Sequence, residues 1–386
     1  MDFTFSPQEL QWQQVARTFA QNEVAPLARE MDEKGDMPLS LVNRMAELGL
    51  LGATIPKAYG GREMSNLALA LVYEELGRAC SSVRGFMTVH SSLVMQCISH
   101  YASEEQKKSY LPKLGTGEMI GCYALTEPEA GSDAANIQTF ATKVDGGYTL
   151  NGEKIWITNG GIAHVAIVFA KLVLPHETGK PHQSITAFLV DTSSKGFNRS
   201  KMPGKELGHR ASDHAHIKLQ NCFVPEANVL GGERNGFAVA MGALDFGRPG
   251  VAAGALGVHQ ACLDASVDFV RKRKQFGSRL GDFEMVQAAI ADMKVSLEAS
   301  RHLIYHAAWK KDQGLPSTLE SSMAKLYATE AALKAASEAV LLHGGRGYSN
   351  EYPVERYYRD IKGLQIYEGT SHLQRIVIAR NVIGKP

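Results

Sequence analysis

The first third of the chain places apolar residues at helical spacing. Ser6-Pro7-Gln8-Glu9 combines an N-cap serine, a proline at the first helical position and a glutamate three residues after the cap. Similar patterns, each with one apolar face, recur at 40–49, 65–77, 84–101 and 104–114. Residues 1–120 are therefore predicted to form an all-helical domain.

Short β-branched runs and turn residues replace this period between residues 121 and 235. The runs 148–150 and 154–158 flank Asn151-Gly152, a dipeptide that predicts a β-hairpin. Further strands are predicted at 165–170, 185–190 and 214–219. No helical pattern separates these runs, so an antiparallel barrel or sandwich is expected and not a parallel nucleotide-binding sheet.

The pattern becomes helical again from Gly236. Three long alanine-rich segments occupy 251–270, 283–312 and 316–342. Helices of about 25 to 30 residues are roughly 40–45 Å long, which suits a bundle whose outer faces continue into an oligomer interface. The predicted fold is mostly α with a central β domain: helical at 1–120, β at 121–235 and a helical bundle at 236–386.

The composition excludes several classes of function. Lys and Arg number 41 and Asp and Glu 40, so the formal net charge is +1 and gives no broad attraction to nucleic acid or anionic membranes. The five cysteines form no CxxC pair, which argues against a disulfide framework or zinc site and favours a reducing compartment. No secretory signal or membrane-spanning run is present, so a soluble, unsecreted protein is expected.

General chemical motifs give little further help. The sequence has no GxGxxG, Walker A, HExxH or GxSxG motif. Taken singly, the unusual residues have ordinary structural interpretations: the basic run 271–274 suits a helix C-terminus, Trp156 suits a strand core and Glu368 suits a solvated loop. Residue types alone therefore leave the chemistry open.

Four segments taken together resemble the signature set of the acyl-CoA dehydrogenase flavoproteins. They are YALTEPEAGSD at 123–133, WITN at 156–159, RKQFG at 273–277 and IYEGT at 366–370. The resemblance covers essentially the whole chain. It implies three domains with a C-terminal four-helix bundle, a homotetramer, an FAD site completed by a neighbouring subunit, and α,β-dehydrogenation of an acyl-CoA thioester to the 2-enoyl-CoA.

The resemblance also implies the catalytic roles. Glu368 resembles the base that removes the α-proton, while the flavin N5 takes the β-hydride. The backbone N–H of Glu368 and a flavin ribityl hydroxyl would donate to the thioester oxygen. Some branches of the family carry their glutamate just before Arg248, but Gly247 stands there in this chain, so the base is expected at 368.

The resemblance implies cofactor contacts from two subunits. The expected FAD-binding residues are Tyr123, Leu125, Thr126, Ser132, Trp156, Thr158, Arg273, Phe276, Gln287, Leu341, Gly344, Gly345 and Thr370. Of these, Arg273, Phe276 and Gln287 would reach a neighbour's FAD. Leu341 replaces a frequent glutamine and cannot donate to the pyrophosphate, so the N–H groups of Gly344 and Gly345 are the expected donors. His343 and His372 also depart from the family pattern and are expected to pack or hydrogen-bond.

Substrate contacts are expected from Ser132, Asp245, Arg248, Tyr367 and Gly369. Arg84 has two interpretations. Its segment resembles the place where glutaryl-CoA dehydrogenases set an arginine against the distal carboxylate, which would favour a dicarboxylic acyl group. The more ordinary alternative pairs Arg84 with a surface carboxylate and leaves a simple short-chain acyl-CoA as the leading substrate.

Other functions compatible with these motifs are dehydrogenation of a carrier-protein-tethered acyl group, a flavin oxidase and a non-catalytic binding module. Family analogy makes electron-transfer flavoprotein the expected electron acceptor. The expected location is the cytoplasm of a bacterium, or the mitochondrial matrix after removal of a transit peptide.

Overall fold

The computed structural model describes residues 4–173 and 181–384. Its N-terminal helices are α1 Pro7–Phe19, α2 Ala28–Lys34, α3 Leu39–Glu47, α4 Asn66–Ala79, α5 Ser81–Met87, α6 Gln96–Tyr101 and α7 Glu104–Gly115. The predicted start of the first helix is confirmed. The Glu9 N–H donates to the Ser6 hydroxyl at 3.3 Å, and the Ser6 N–H donates to the Glu9 carboxylate at 2.7 Å.

The helix predicted at 84–101 is a continuous helical segment that begins at Ser81. A π-helical stretch, Thr88–Met95, joins α5 to α6. Such wider turns shift side chains out of the regular helical register and often occur at functional sites. In this chain Thr88 and Leu93 from the π-helical stretch border the cavity described below.

The strands are β1 Gly121–Ala124, β2 Phe140–Val144, β3 Gly147–Thr158, β4 Val165–Leu172, β5 Ile185–Asp191, β6 Phe197–Lys201, β7 His214–Pro225 and β8 Val229–Leu230. The sheet order is β6-β7-β3-β2-β4-β5-β8, with β1 also paired to β4. Most pairs are antiparallel, as predicted, whereas β1 and β2 each run parallel to β4. β4 is buried along nearly its whole length, as suits a central strand.

The hairpin predicted at Asn151-Gly152 is wrong. β3 runs through both residues as one strand, and the turn from β2 lies at Asp145-Gly146, where Gly146 has a φ of 73°. Gly152 instead marks a register shift against β7, and a Cβ at this position would meet the Thr139 hydroxyl. The glycine therefore allows a bulge and a close approach of backbone rather than a turn.

The C-terminal helices are α8 Gly236–Lys272, α9 Glu284–Asp312, α10 Thr318–His343, α11 Val354–Leu364 and α12 Ser371–Ile383, with a short hairpin, β9 Lys274–Gln275 and β10 Ser278–Arg279, after α8. The chain is helical from Gly236, as predicted, and the long segment predicted at 251–270 is the C-terminal part of α8. α8 packs against α9, α10 and the N-terminal α4, so one apolar core joins the first helices to the bundle.

Three further features concern the cysteines, the apolarity of the helices and groups of metal-ligating side chains. The cysteines Cys80, Cys97, Cys122, Cys222 and Cys262 are all buried free thiols. Within residues 4–173 and 181–384, no helix is both long and apolar enough to cross a membrane. The same residues contain no group of three or more His, Cys, Asp or Glu side chains suited to a metal ion.

Candidate active site

A cavity of about 540 Å³ lies where the first helices, the sheet and the bundle meet. Its walls come from α5 and the π-helical stretch, the loop after β1, the end of β3, α8 and the loop 365–370 between α11 and α12. Twelve of the residues expected from the sequence border it: Arg84, Tyr123, Leu125, Thr126, Ser132, Trp156, Thr158, Arg248, Tyr367, Glu368, Gly369 and Thr370. The fold thus brings most of the candidate residues into one space.

Glu368 lies in the loop 365–370 with a left-handed backbone. Its φ is 55°, and that of Gly369 is 92°. The Oε2 atom of Glu368 is closed off from solvent and has no hydrogen-bond partner. It lies directly against α8 at Gly247, where any Cβ would overlap it. Gly247 therefore provides the space that the Glu368 carboxylate occupies.

The surroundings of Glu368 shift its acidity. Burial raises the pKa of its carboxyl to about 7, against the opposing effect of the nearby cations Lys325, Arg84 and Arg248. A carboxyl with that pKa is partly ionised at neutral pH and can either accept or release a proton. In the described residues the Glu368 N–H donates to no protein acceptor, so a backbone donor stands free beside the carboxylate.

Two residues absent from the sequence prediction support the loop 365–370. The Lys325 ammonium, on α10, donates to the Gly369 carbonyl oxygen at 2.5 Å. The Gln374 amide, on α12, donates to the same oxygen at 2.9 Å and to the Glu368 carbonyl oxygen at 3.4 Å. The sequence offers a clue for Lys325, because this charged residue lies on the same helical face as Ala328 and Ala332, which are buried. Gln374 gave no comparable signal.

The surface pairing considered for Arg84 is wrong. The residue is 1% exposed, and no carboxylate in the described residues lies within ion-pair distance. Its Nη1 donates to the Thr88 hydroxyl at 3.3 Å, its Nη2 donates to the Tyr367 hydroxyl at 2.5 Å, and its Nε has no partner. The side chain lies over Gly254 of α8, where a Cβ would overlap it. Space in α8 thus accommodates a buried guanidinium at the cavity.

His209 is a further cavity residue that sequence reasoning missed. Its ring meets the Tyr367 ring edge-on at 5.6 Å, and its Nε2 is buried without a partner. Burial and, secondarily, the Arg84 charge hold the pKa of His209 well below its usual range, so the ring is neutral. A single histidine in a loop gives no sign of such a position.

The wall formed by the β domain presents a partly open indole. Trp156, at a φ of 58°, is 50% exposed. Tyr123 and Leu125 also line the cavity but are buried, and Thr126 and Thr158 supply hydroxyls. An exposed ring next to hydroxyl groups fits a flat polar aromatic system such as the isoalloxazine of FAD.

The loop after β1 is held in place by a buried ion pair. The Lys154 ammonium, fully buried, donates to the Glu127 carboxylate at 2.7 Å, to the Phe169 carbonyl at 2.7 Å and to the Leu125 carbonyl at 3.2 Å. Glu127 also accepts from the Thr139 N–H at 3.0 Å. This buried pair fixes the backbone that carries Leu125 and Thr126.

At the bundle side Arg248 is held by Asp245. The Arg248 Nη1 donates to the Asp245 carboxylate at 2.6 Å, and the Thr318 hydroxyl donates to the other oxygen of that carboxylate at 3.2 Å. The Nε of Arg248 is buried without a partner. Asp245 itself does not border the cavity and instead orients the arginine that does.

The remaining predicted cofactor residues lie away from the cavity of their own chain. They are Arg273, Phe276 and Gln287 around the hairpin after α8, and Leu341, Gly344 and Gly345 at the end of α10. Phe276 is 96% exposed and Leu341 71% exposed. His343, the last residue of α10, packs and hydrogen-bonds as expected. Its ring stacks on Phe269 with 4.2 Å between the ring centroids, and its Nδ1 lies 2.7 Å from the Ala339 carbonyl oxygen.

Comparison with known proteins gives a consistent result. Profiles of the N-terminal, middle and C-terminal domains of acyl-CoA dehydrogenase match residues 6–118, 122–222 and 234–383. The short-chain specific acyl-CoA dehydrogenase of Clostridium acetobutylicum is 40% identical over 382 residues, which cover 99% of this chain and 100% of that one.

Two solved structures have closely similar folds. Butyryl-CoA dehydrogenase from Megasphaera elsdenii matches with a TM-score of 0.95 and 39% identity, covering 99% of this chain and 100% of that one. A glutaryl-coenzyme A dehydrogenase in complex with glutaryl-CoA matches with a TM-score of 0.95 and 36% identity, covering 100% of this chain and 97% of that one.

Proposed function

The chain belongs to the acyl-CoA dehydrogenase family, and from that premise we propose that it oxidises a short-chain acyl-CoA thioester to the 2-enoyl-CoA with Glu368 as the base. Membership makes it an FAD-dependent oxidoreductase that acts on acyl-CoA. The observation that carries the assignment of the base is the Glu368 Oε2, which is buried at the cavity, unpartnered and seated against Gly247.

FAD, when bound, supplies the acceptor for the hydride that leaves the β-carbon. Trp156, Thr158 and the loop 123–133 would hold its ring, because they form the wall with an exposed indole and free hydroxyl groups. Arg273, Phe276 and Gln287 would bind the cofactor of a neighbouring chain in a homotetramer. Their position away from their own cavity supports that division of roles.

Proton removal relies on groups of this chain. The α-proton of a thioester is weakly acidic, so its loss needs a placed base and donors for the developing enolate oxygen. Glu368 is partly ionised at neutral pH, and apolar neighbours such as Val89 and Leu93 limit the access of water to it. The free N–H of Glu368 is the backbone donor available to the thioester oxygen.

The preference for a short acyl group is supported by two relatives and by the polarity of one side of the cavity. One relative is described as short-chain specific and a structural neighbour is a butyryl-CoA dehydrogenase. The cavity side formed by Arg84, Thr88 and Tyr367 is polar, which disfavours burial of a long alkyl tail against it.

Anaerobic bleaching of the flavin tests the proposal. Wild-type protein is mixed with butyryl-CoA, octanoyl-CoA, isobutyryl-CoA or glutaryl-CoA, alongside Glu368→Gln. We expect bleaching by butyryl-CoA and a loss of about 10³-fold or more in the variant, the effect of removing a general base. Retention of bleaching in Glu368→Gln would place the base elsewhere. No bleaching of an FAD-loaded wild type would favour a carrier-tethered acyl group.

A dicarboxylic acyl-CoA is the second candidate substrate, and one observation favours it. Arg84 is buried at the cavity without a carboxylate partner, and an unpaired buried guanidinium is costly unless a ligand supplies the anion. The similar glutaryl-coenzyme A dehydrogenase was solved with glutaryl-CoA. The unpartnered Nε2 of His209 adds a second polar atom at the same wall.

Arg84→Met separates the two substrates. If Arg84 binds a distal carboxylate, the variant loses about 30- to 100-fold in bleaching rate with glutaryl-CoA, the effect of one hydrogen bond to a charged group, and keeps its rate with butyryl-CoA within about threefold. If the wild type is bleached by butyryl-CoA alone, Arg84 has a structural role through its hydrogen bonds to Thr88 and Tyr367.

Electron-transfer flavoprotein is the electron acceptor to try in steady-state assays.

A further inference from the structure

We propose that Lys325 and Gln374 are positioning residues that hold Glu368 through the Gly369 carbonyl oxygen, and that the Lys325 charge favours the ionised form of Glu368. The inference rests on Glu368 acting as the base, as proposed above. We call this pair of donors the Gly369 clamp.

The clamp joins two helices at one atom. Lys325 reaches the Gly369 oxygen from α10 and Gln374 reaches it from α12, at 2.5 and 2.9 Å. Both side chains are 1% exposed. Burial of an ammonium and an amide costs free energy unless they are hydrogen-bonded, and a charge-assisted bond to a carbonyl is stronger than a neutral one. The two donors therefore fix this peptide group firmly.

The Glu368 carboxylate depends on that backbone for its direction. In the described residues it makes no hydrogen bond of its own, and its Oε2 is buried. The left-handed φ of 55° at Glu368 is unfavourable for a non-glycine residue and persists only where the surroundings impose it. The Gly369 clamp supplies that constraint on the following peptide, so it sets where the base points.

Charge is the second contribution of Lys325. Six elements present titratable or charged groups to Glu368. The cations are Lys325 from α10, Arg84 from α5 and Arg248 from α8, and the phenols are Tyr73 from α4, Tyr123 from β1 and Tyr367 from the loop 365–370. Of the three cations, Lys325 does most to lower the pKa of Glu368. The hydrogen bonds of Gln374 are neutral, so the two residues differ in which property of the base they control.

The test compares Lys325→Met, Gln374→Leu and, as a matched control, Lys334→Met at an exposed lysine of the same helix. FAD-loaded proteins are mixed anaerobically with butyryl-CoA from pH 5.5 to 9, and the limiting bleaching rate and substrate Kd are extracted. FAD content and the unfolding midpoint are measured in parallel, since a merely structural role would change these and leave the pH profile in place.

For Lys325→Met we expect the apparent pKa to rise by about one unit or more and the limiting rate to fall about 10- to 100-fold, with Kd within about threefold. For Gln374→Leu we expect a fall in limiting rate of about 5- to 10-fold at an unchanged apparent pKa, because no charge is removed. Lys334→Met should match the wild type.

Wild-type profiles and rates in both variants would overturn the proposal and leave Lys325 and Gln374 as packing residues. If Lys325→Met does not fold, Lys325→Arg takes its place: retained charge with altered geometry should lower the rate and keep the apparent pKa, and wild-type behaviour would again contradict the clamp. Wild-type protein that no thioester bleaches contradicts the proposed function itself, a result distinct from variants that behave like an active wild type.

Discussion

At the scale of single residues, the chemistry depends on an absent side chain. Gly247 leaves room for the Glu368 carboxylate, and a Cβ there would overlap Oε2. Gly247→Ala should therefore displace the base while strengthening the helical preference of α8. Since a displacement of about 1 Å costs about 100-fold in rate, we expect such a loss in butyryl-CoA bleaching. Wild-type rates in this variant would show that Glu368 acts from another position.

The raised pKa of Glu368 links activity and stability to pH. The base works when ionised, so the wild-type bleaching rate should rise as the pH passes about 7.

The same raised pKa makes the stability of the fold depend on pH. The folded state favours the protonated Glu368 carboxyl, so the contribution of this carboxyl to the free energy of unfolding is fully present below about pH 4.5 and is lost as the pH rises through 7. The Tm of Glu368→Gln minus that of the wild type should therefore increase as the pH is raised from 5.5 to 8.5. A pH-independent difference would contradict the raised pKa.

At the scale of elements, the loop after β1 depends on the buried pair Lys154 and Glu127. Lys154→Met would leave the Glu127 carboxylate buried without its cation, which costs about 3–5 kcal/mol. We expect a lower urea midpoint and a lower FAD content, because the backbone at Leu125 and Thr126 loses its anchor. Lys143→Met, at an exposed lysine paired with Glu226 and Glu233, is the control and should cost about 1 kcal/mol or less.

Element types were readable from the sequence, whereas their partners were not. Periodicity identified the longer helices and the four strands β3, β4, β5 and β7, because burial of one face leaves a regular pattern, whereas it missed the shorter elements such as β1, β2, α11 and α12. Asn151-Gly152 misled because a glycine that suits a tight turn also suits a bulge, and Thr139, which decides between them, is distant in sequence. Arg84 misled for a related reason: the glycine that accommodates it, Gly254, lies on another helix.

The residues of the candidate site also fall into those that the sequence revealed and those that only the structure revealed. Glu368 and the loop 123–133 lie in recognisable local motifs, so the resemblance pointed to them directly. Lys325 and His209 make contacts between segments that are distant in sequence and that only folding brings together, whereas Gln374 contacts Gly369 from the helix that directly follows the loop. Of the three, Lys325 alone left a trace, as a charge on a buried helical face.

At the scale of the whole molecule, the single chain leaves large apolar side chains uncovered. Phe276, which is expected to meet a neighbour's cofactor, and Leu341, which is an expected FAD-binding residue, both lie exposed on the C-terminal part. If one site takes Glu368 from one chain and Arg273 from another, co-expression of Glu368→Gln with Arg273→Ala should restore up to about a quarter of the wild-type bleaching in random mixed assemblies. Each variant alone should be inactive. Mixtures with no activity above the single variants would confine each site to one chain.

The buried cysteines are natural probes of local unfolding. Five thiols are distributed over the first helices, the sheet and α8, and burial raises the pKa of every one of them. A thiolate must form and meet the reagent before alkylation, so the native fold protects all five. The rate at which each cysteine reacts with a small alkylating reagent, read by peptide mass spectrometry, therefore maps local unfolding free energies across all three regions without any engineered label.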